Sequence, residues 1–547
     1  MELLTVMAVL AGALGLTALA RRFNLSAPLL IVLVALGVSF IPGVPRAEID
    51  PELILTLVLP PLLYSTALDS SVAQFKAAMR PIIALGVVLV VVTAVAVGFT
   101  MHLLLPQLPL SSALVLGAVV APPDAVTAVA IGRRLGLPRR LMTVLTGESL
   151  VNDAAALTLY KIAIAAVLGT AGSIGHGFLI FLSAAVIGIG VGLVAGMLVA
   201  FLRRRLADPL MESVFGIIVP FAVYVLAEHL HPFSADFSGS GVLAVVAAGL
   251  YLGQQSLHAG PATRVQDSSI WATLDVLLEA LVFALMGLQL PFVLESTNAA
   301  AADNTTLVIA AFVVLAVTIA IRIPYVFLSG IAPHALRLFG GGRSSPPWRY
   351  FTIVSWTGMR GVVTIAAAAG VPLVTHSGAP FPGRDEIQLF AFVVAIGTLL
   401  VQGLTLPVLI RRLKVSTAAE AEREAAEELK AREAAMNAAL HRLDELMPEL
   451  TSKVDIPRDR AERIYGRLRS LVETRYRGAM AAISLTTEER EASPHTAFVQ
   501  ARRDLLITQR EAVLACDDVD DHVLRKVLRE LDLEELALTN TLTSRLS

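Results

Sequence analysis

The sequence predicts an all-α membrane protein, with about 13 transmembrane helices in residues 1–413 and a helical cytoplasmic domain in residues 414–547. The first observation is composition: the chain is 56% hydrophobic and 16% charged, against about 25% charged residues in soluble domains. Mean hydropathy is +0.72. The second observation is that charge is segregated: residues 414–547 hold 21 Lys+Arg and 26 Asp+Glu, against 22 and 19 in residues 1–413. A membrane domain followed by a soluble tail accounts for both observations.

Apolar segments of about the length that crosses a bilayer recur along the first 410 residues. We place them at about 3–20, 28–42, 52–68, 81–105, 111–132, 141–169, 177–202, 210–230, 238–254, 270–292, 305–331, 350–374 and 386–410. The first segment lacks a preceding basic region, so we expect a spanning helix there and no cleaved signal peptide.

Positive charge alternates between the connecting segments. One set of connections holds Arg21, Arg22, Lys76, Arg80, Arg133, Arg134, Arg139, Arg140, Arg203, Arg204, Arg205, Arg264, Arg337, Arg343, Arg349, Arg411, Arg412 and Lys414. The other set holds only Arg46 and Arg384. Because basic loops stay on the cytoplasmic side, we expect the N-terminus outside and the tail in the cytoplasm of a cell-membrane protein.

Composition also excludes some classes of function. The net charge of −2 gives no reason to expect a nucleic-acid partner. The single cysteine, Cys516, rules out an intramolecular disulfide and fits a reducing compartment. The tail contains no zinc-ligand spacing, phosphate loop or nucleotide fingerprint, and no cofactor is expected.

Two of the apolar segments are interrupted and carry an ionisable residue at the interruption. The fifth contains Pro122, Pro123 and Asp124, and two adjacent prolines break a helix. The twelfth contains Gly358-Met359-Arg360-Gly361. Irregular backbone at membrane depth lines a cavity or is buried in protein. An interrupted segment in each half of the chain predicts inverted repeats with two crossed broken helices at an ion site.

The sixth segment carries a polar face. Glu148 and Asn152 are i,i+4 neighbours on a helix, and so are Ser149 and Asp153. A charge at the centre of a membrane helix costs roughly 2.5–3.5 kcal/mol on insertion scales. Such groups therefore point toward a partner or an ion path.

Together these motifs resemble those of the monovalent cation/proton antiporter family that includes the sodium/proton exchangers. The resemblance covers most of residues 50–410. The matching stretches are Leu59-Pro60-Pro61-Leu62-Leu63-Tyr64, Pro123-Asp124, Gly147-Glu148-Ser149-Leu150-Val151-Asn152-Asp153, Ser240-Gly241-Val242-Leu243-Ala244 to Gly249, Glu279-Ala280-Leu281-Val282-Phe283 to Gly287-Leu288, and Gly358-Met359-Arg360-Gly361. The order of these stretches along the chain adds to their weight.

The resemblance implies a shared site for the cation and the proton. Asp153 is expected to bind them alternately, with Asp124 as a further Na⁺ ligand. Asn152 is expected to shape the site, and the Ser149 hydroxyl to be a ligand or to lie one hydrogen bond away. The resemblance also implies a homodimer.

Three charged residues are expected to have supporting roles. By the same resemblance, Glu148 pairs with Arg322 of the eleventh helix, and Arg360 holds the second broken helix in place. For both we favour a structural role, since a charge in hydrocarbon needs a partner.

The chain departs from the family pattern at two positions. Many relatives have Thr-Asp-Pro at the first break, whereas this chain has Pro123-Asp124-Ala125. Some prokaryotic relatives also carry an acid in the third helix, where this chain has Ser65. Both departures bear on which groups bind the ion.

These features predict a transporter and not an enzyme. Na⁺ and Li⁺ prefer oxygen ligands, and burial makes a carboxylic acid easier to protonate near neutral pH. We therefore expect Na⁺ or Li⁺ to exchange for H⁺, and because Asn152 cannot titrate we expect electroneutral 1:1 exchange. The alternatives are a K⁺-selective or electrogenic exchanger, a passive cation channel, and an intramembrane aspartyl enzyme using Asp124 and Asp153.

Other polar residues are given less weight. Lys161 is expected to extend outward to the interface. Asp275 and Glu279 are expected at the cytoplasmic start of the tenth helix, where either an acidic funnel or favourable placement at a helix N-terminus explains them. In the tail, helices are expected at 417–446, 457–483, 496–516 and 520–540. This bundle either stabilises a dimer or the cytoplasmic face, or regulates transport.

Overall fold

The computed structural model describes residues 3–23, 25–41, 54–170, 173–206, 208–231, 237–256, 260–289, 291, 304–335, 348–415, 418–453, 458–483 and 505–509. The chain divides into two compact units, Met1–Ser416 and Thr417–Ser547. Arg46, Arg337 and Arg343 of the topology argument lie outside the described residues.

The first unit is built from helices. Its first half contains α1 Leu3–Arg22, α2 Ala27–Val38, α3 Leu59–Leu68, α4 Val72–Ala77, α5 Met79–Ile83, α6 Leu89–Leu104, α7 Leu110–Val120, α8 Ala125–Arg134 and α9 Arg139–Val167. Its second half contains α10 Ile174–Arg203, α11 Pro209–His229, α12 Gly241–Ser256, α13 Pro261–Leu288, α14 Asn304–Ala320, α15 Arg322–Ala335, α16 Trp348–Trp356, α17 Val362–Ala369 and α18 Arg384–Leu413. Two π-helical turns, Ile54–Val58 and Ala84–Val88, lead directly into α3 and α6.

Eight helical stretches in the described part of the chain are long and apolar enough to cross a membrane. They are Thr5–Arg22, Met79–Leu104, Arg139–Val167, Gly175–Arg203, Leu210–His229, Thr263–Leu288, Thr305–Ser329 and Arg384–Leu413. The predicted class, an all-α membrane protein, is therefore confirmed. The count of thirteen spans, the inverted repeats and the crossing of the two broken helices stay predictions.

The spans differ in how far they are buried. Large apolar side chains of α10, including Val186, Val194 and Leu198, are exposed and form a surface suited to lipid. By contrast α9, which carries the polar face predicted from the sequence, buries Glu148, Asn152 and Asp153. The apolar helices around α9 therefore separate its polar residues from the lipid-facing surface.

Glycines allow two pairs of helices to approach closely. A Cβ added at Gly117 of α7 would collide with the backbone of Ala94 in α6. A Cβ added at Gly192 of α10 would likewise collide with the backbone of Ala244 in α12. Small residues at such crossings let backbones pack where larger side chains would hold them apart.

One expected helix boundary was wrong. Helix α13 begins at Pro261, so Asp275 and Glu279 lie well inside it and not at its start. Residues 263–269 are largely polar, and the helix continues through them beyond the apolar stretch. Placement at a helix N-terminus therefore does not explain the two carboxylates.

The second unit contains two long helices, α19 Ala418–Lys453 and α20 Arg458–Ile483. They pack against each other, and the hydroxyl of Tyr465 in α20 donates to Asp444 in α19. The predicted helix at 520–540 lies outside the described residues, and only residues 505–509 of the one at 496–516 are described.

Candidate functional site

The first helix break separates α7 from α8. Residues 121–124 are not helical, and Pro122 and Pro123 have no backbone N–H to continue α7. Asp124 then caps α8, because its Oδ1 accepts a hydrogen bond from the Val126 amide at 2.8 Å. One oxygen of the Asp124 carboxylate is thus committed to starting a helix.

The second break separates α16 from α17 and lies against the first. The Asp124 amide donates to the Met359 carbonyl at 2.6 Å, which joins the two breaks directly. Gly361 is the N-cap of α17, and a Cβ placed there would collide with the Asp124 carboxylate. The absence of a side chain at Gly361 is what lets the two breaks approach each other.

Arg360 holds the breaks together. Its side chain is 1% exposed, and its Nε donates to the Val120 carbonyl at 2.9 Å. Its other guanidinium nitrogens donate to the carbonyls of Ala121 and Gly358. These carbonyls lie where regular helical bonding stops, so the guanidinium supplies donors that the interrupted helices lack. The Arg360 amide also donates to Thr398 Oγ1 of α18 at 2.9 Å.

Helix α9 brings its polar face to the first break. Asn152 is fully buried, and its Nδ2 donates to the Pro123 carbonyl at 2.6 Å. No donor among the described residues contacts its Oδ1. Asp153 is 7% exposed and follows Asn152 directly, so the bond from Asn152 to the Pro123 carbonyl brings it to the break that carries Asp124. Ser149 is half-buried on the same helix.

Glu148 and Arg322 form a buried ion pair. Arg322 Nη1 and Nη2 donate to the two Glu148 carboxylate oxygens at 2.5 and 2.8 Å. Arg322 Nε donates to the Val354 carbonyl at 3.0 Å. Both oxygens of Glu148 are therefore occupied, and Arg322 is the first residue of α15, directly after the interruption at Ile321. The polar face of α9 thus divides, with Glu148 bound to arginine and Asp153 beside Asp124.

The structure places a carboxylate beside Ser65. Ser65 Oγ of α3 donates to Asp275 Oδ1 of α13 at 2.7 Å. Glu279 lies one turn further along α13, at i+4 from Asp275. An acid absent from the third helix is therefore supplied nearby by another helix. The i,i+4 spacing of Asp275 and Glu279 was the available signal, but the sequence did not show that they face α3.

Lys161, eight residues beyond Asp153 on α9, makes a contact that the sequence did not indicate. Its Nζ lies 2.5 Å from Glu228 Oε2 of α11, and its side chain is 54% exposed. Glu228 Oε1 accepts a hydrogen bond from the Gly241 amide at 3.1 Å, at the start of α12. Lys161 therefore links α9 to α11 and α12.

Comparison with known proteins identifies the family. The model of the transmembrane sodium/hydrogen exchanger family matches residues 6–412. An uncharacterized Na⁺/H⁺ exchanger of Mycobacterium tuberculosis is 33% identical over 545 residues, which are 98% of this chain and 96% of the relative. The Na⁺/H⁺ antiporter ApNhaP of Aphanothece halophytica is 31% identical over 473 residues, which are 86% of this chain and 85% of the relative.

A solved structure has the same fold. The sodium proton antiporter MjNhaP1 of Methanocaldococcus jannaschii matches with a TM-score of 0.58 at 19% identity, over 76% of this chain and 99% of that chain. The family match, the shared fold and the two helix breaks together define the class of this protein. The chain belongs to the sodium/hydrogen exchanger family, a family of multi-pass cell-membrane cation/proton antiporters that are not enzymes.

Proposed function

We propose that this protein exchanges Na⁺ or Li⁺ for H⁺, with Asp153 as the carboxylate that binds the cation and the proton in turn. The observation that carries the proposal is that buried Asp153 and half-buried Asp124 lie at the same helix break, where Asn152 of α9 donates to the Pro123 carbonyl. Two neighbouring carboxylates in a low-dielectric interior repel each other unless a cation or a proton lies between or on them. Such a pair therefore favours an occupied site over an empty one.

The proposed cation ligands are hard oxygens. Asp153 supplies a carboxylate, Asp124 the carboxylate oxygen not used in capping α8, and Asn152 its Oδ1, which no donor in the described part of the chain contacts. Ser149 contributes its hydroxyl directly or through one hydrogen bond. Small monovalent cations prefer oxygen ligands of this kind, as other hard cations do. The fixed bond from Asn152 to the Pro123 carbonyl holds its amide in place.

Antiport follows when cation and proton compete for the same carboxylate. An unoccupied Asp153 would carry an uncompensated charge through the conformational change, which is energetically costly in hydrocarbon. Na⁺ or H⁺ neutralises the Asp153 carboxylate. The protein therefore changes conformation readily with either ligand bound, and not with the site empty. Alternating access of this loaded site to the two sides of the membrane then produces exchange.

The proposed stoichiometry is one cation for one proton. Asn152 cannot titrate, and Asp124 is engaged as a helix cap through Oδ1. One titrating carboxylate then gives one proton per cycle and electroneutral exchange.

The proposal includes the finer architecture. It comprises thirteen spans in inverted repeats, crossed broken helices, an external N-terminus, a cytoplasmic tail and a homodimer. The contacts from Asp124 to Met359 and from Arg360 to Val120 support the crossing, because each joins the two breaks. The Glu148–Arg322 pair and Arg360 have structural roles in this scheme.

The test is exchange in proteoliposomes that contain a pH-sensitive dye. A preset pH gradient should dissipate when Na⁺ or Li⁺ is added, and Asp153→Asn should abolish this response. Asp385→Asn is the matched control, because Asp385 is a partly exposed carboxylate at the start of α18. Cation-driven exchange that survives in Asp153→Asn would rule out the shared site. A response to K⁺ alone would favour the K⁺-selective alternative, and cation flux without proton flux would indicate a channel.

A further inference from the structure

Helix α20 of the second unit carries exposed apolar side chains at helical spacing. Ile464, Leu468 and Leu471 recur at i, i+4 and i+7 and therefore lie on one face of the helix. They are 42%, 43% and 67% exposed. A stripe of this kind on a helix that contains few other large apolar residues marks a surface for a partner.

Arginines flank this stripe. Helix α20 contains seven arginines and three acidic residues, and no lysine. Arg460, Arg463 and Arg467 are exposed and lie along one side of the apolar stripe. We call the surface formed by these six residues the outer face of α20; its members are Arg460, Arg463, Ile464, Arg467, Leu468 and Leu471.

The outer face is not the side of α20 that α19 covers. Tyr465 bonds to Asp444 of α19, and Arg469 donates to the Tyr465 hydroxyl at 2.9 Å and to Glu473 at 3.1 Å. Tyr465, Arg469 and Glu473 follow a different helical row from Ile464, Leu468 and Leu471. The bond to α19 therefore leaves α20 from a different row, and the side chains of the outer face are exposed.

The three arginines of the outer face favour a partner with an anionic surface. A second copy of α20 facing this one would place arginines against arginines. Helix α19 is acidic, with nine acidic residues against five of Lys and Arg, but it already contacts a different row of α20 through Asp444 and Tyr465. The tail is tethered at the bilayer, because α18 ends at Leu413 and α19 begins at Ala418. An anionic lipid surface is thus both complementary in charge and always within reach of the tail.

We propose that the outer face of α20 docks on an anionic lipid surface. The three aliphatic side chains enter the headgroup boundary, and the three arginines bind lipid phosphates. A basic amphipathic helix binds membranes in this way, through buried apolar area and attraction to anionic lipid. This interaction goes beyond the proposed exchange and does not depend on it.

The test follows the environment of α20 in the full-length protein. Cys516 is the chain's single cysteine, so Cys516→Ser permits one label at Leu468→Cys with the fluorophore NBD. A second label site at Ser470→Cys, outside the stripe, serves as the positional control. Nanodiscs that contain the full-length protein are prepared with phosphatidylcholine alone or mixed with phosphatidylglycerol.

Docking predicts three changes at residue 468 in the anionic discs. NBD emission shifts to the blue, brominated lipid quenches it, and iodide quenching falls by about threefold relative to neutral discs, all of which reverse at about 0.5 M salt. The label at residue 470 should change less. Equal signals in neutral discs, or insensitivity to salt, would overturn the proposal. So would a blue shift without quenching by brominated lipid, since that identifies a protein surface and not lipid as the partner.

Arginine variants test the electrostatic part. Combined Arg460→Gln, Arg463→Gln and Arg467→Gln should abolish the anionic-lipid signal, whereas Lys at all three positions should retain it. The matched control is Lys430→Gln, Arg432→Gln and Arg442→Gln on α19, which removes the same charge from the tail and should leave docking intact. Loss of docking in the Lys variant or in the α19 control would contradict the outer face as the lipid-binding surface. If the Gln variant loses helix content by circular dichroism, the Lys variant and the salt titration still decide.

Discussion

The amide nitrogen of Asp124 lies 2.6 Å from the carbonyl oxygen of Met359, and this hydrogen bond joins two helix breaks that are far apart in the sequence. The same residue caps α8 through its side chain. Asp124 therefore joins the two breaks through its backbone and starts a helix through its side chain.

Gly361→Ala should abolish exchange or reduce it at least tenfold. The new methyl group would collide with the Asp124 carboxylate and force the two breaks apart. Initial rates in proteoliposomes measure the effect. Gly190→Ala is the matched control, because a Cβ at Gly190 meets no atom within 4 Å. A Gly361→Ala protein with unchanged rates would show that this close approach is not needed.

Arg360→Gln should lower thermal stability. Several buried carbonyls would lose their donor, and each unsatisfied buried group costs roughly 1–3 kcal/mol. The melting temperature of detergent-solubilised protein reports this loss. Arg411→Gln removes an exposed arginine near the end of α18 and should leave the melting temperature unchanged. Equal melting temperatures for both variants would contradict the bridging role of Arg360.

Removing one charge of the Glu148–Arg322 pair should destabilise the protein more than removing both charges. Glu148→Leu or Arg322→Met alone strands a buried charge, which costs about 3–5 kcal/mol. The double variant should recover much of that stability and retain exchange. A double-mutant cycle on thermal unfolding and transport measures the coupling. Additive losses, or a double variant that is stable but inactive, would argue against a structural pair.

Asn152→Asp should make exchange sensitive to membrane potential. The substitution adds a third carboxylate at the site, so a second proton can be carried per cycle. Initial rates are compared with and without a valinomycin-imposed potassium potential. The exchange rate of the unmodified protein should not depend on this potential. A rate that does depend on it would contradict the 1:1 stoichiometry.

Asp275→Asn should raise the apparent KM for Na⁺ a few-fold and leave the maximal rate largely intact. Asp275 lies beside Ser65 and has Glu279 one turn away on α13, so the two carboxylates can attract cations toward the site. Ser65→Ala tests whether the hydrogen bond itself matters, and we expect a smaller effect. A fall in maximal rate with unchanged KM would instead place Asp275 in the conformational step.

Much of the architecture could be predicted because its causes are local. Composition predicts the membrane class, and Pro122 and Pro123 predict a break since proline removes donors wherever it lies. The glycines around Arg360 indicate the second break because glycine is a poor helix former. The polar face of α9 follows from helical spacing alone.

The remaining features depend on which helices pack together. Nothing in the sequence around Ser65 indicates that Asp275 lies opposite it. The partner of Lys161 is Glu228, on a helix whose orientation the hydropathy pattern does not define. The position of Asp275 within α13 was also missed, because polar residues continue that helix beyond its apolar stretch.

The bonds of Arg360 have a mechanical consequence. One residue ties the end of α7, the start of α17 and the middle of α18 together, through Val120, its own backbone and Thr398. These elements cannot slide past one another without losing buried hydrogen bonds. We therefore expect any movement that changes access to Asp153 to displace them as one rigid block, with the flexing concentrated in the connections outside it.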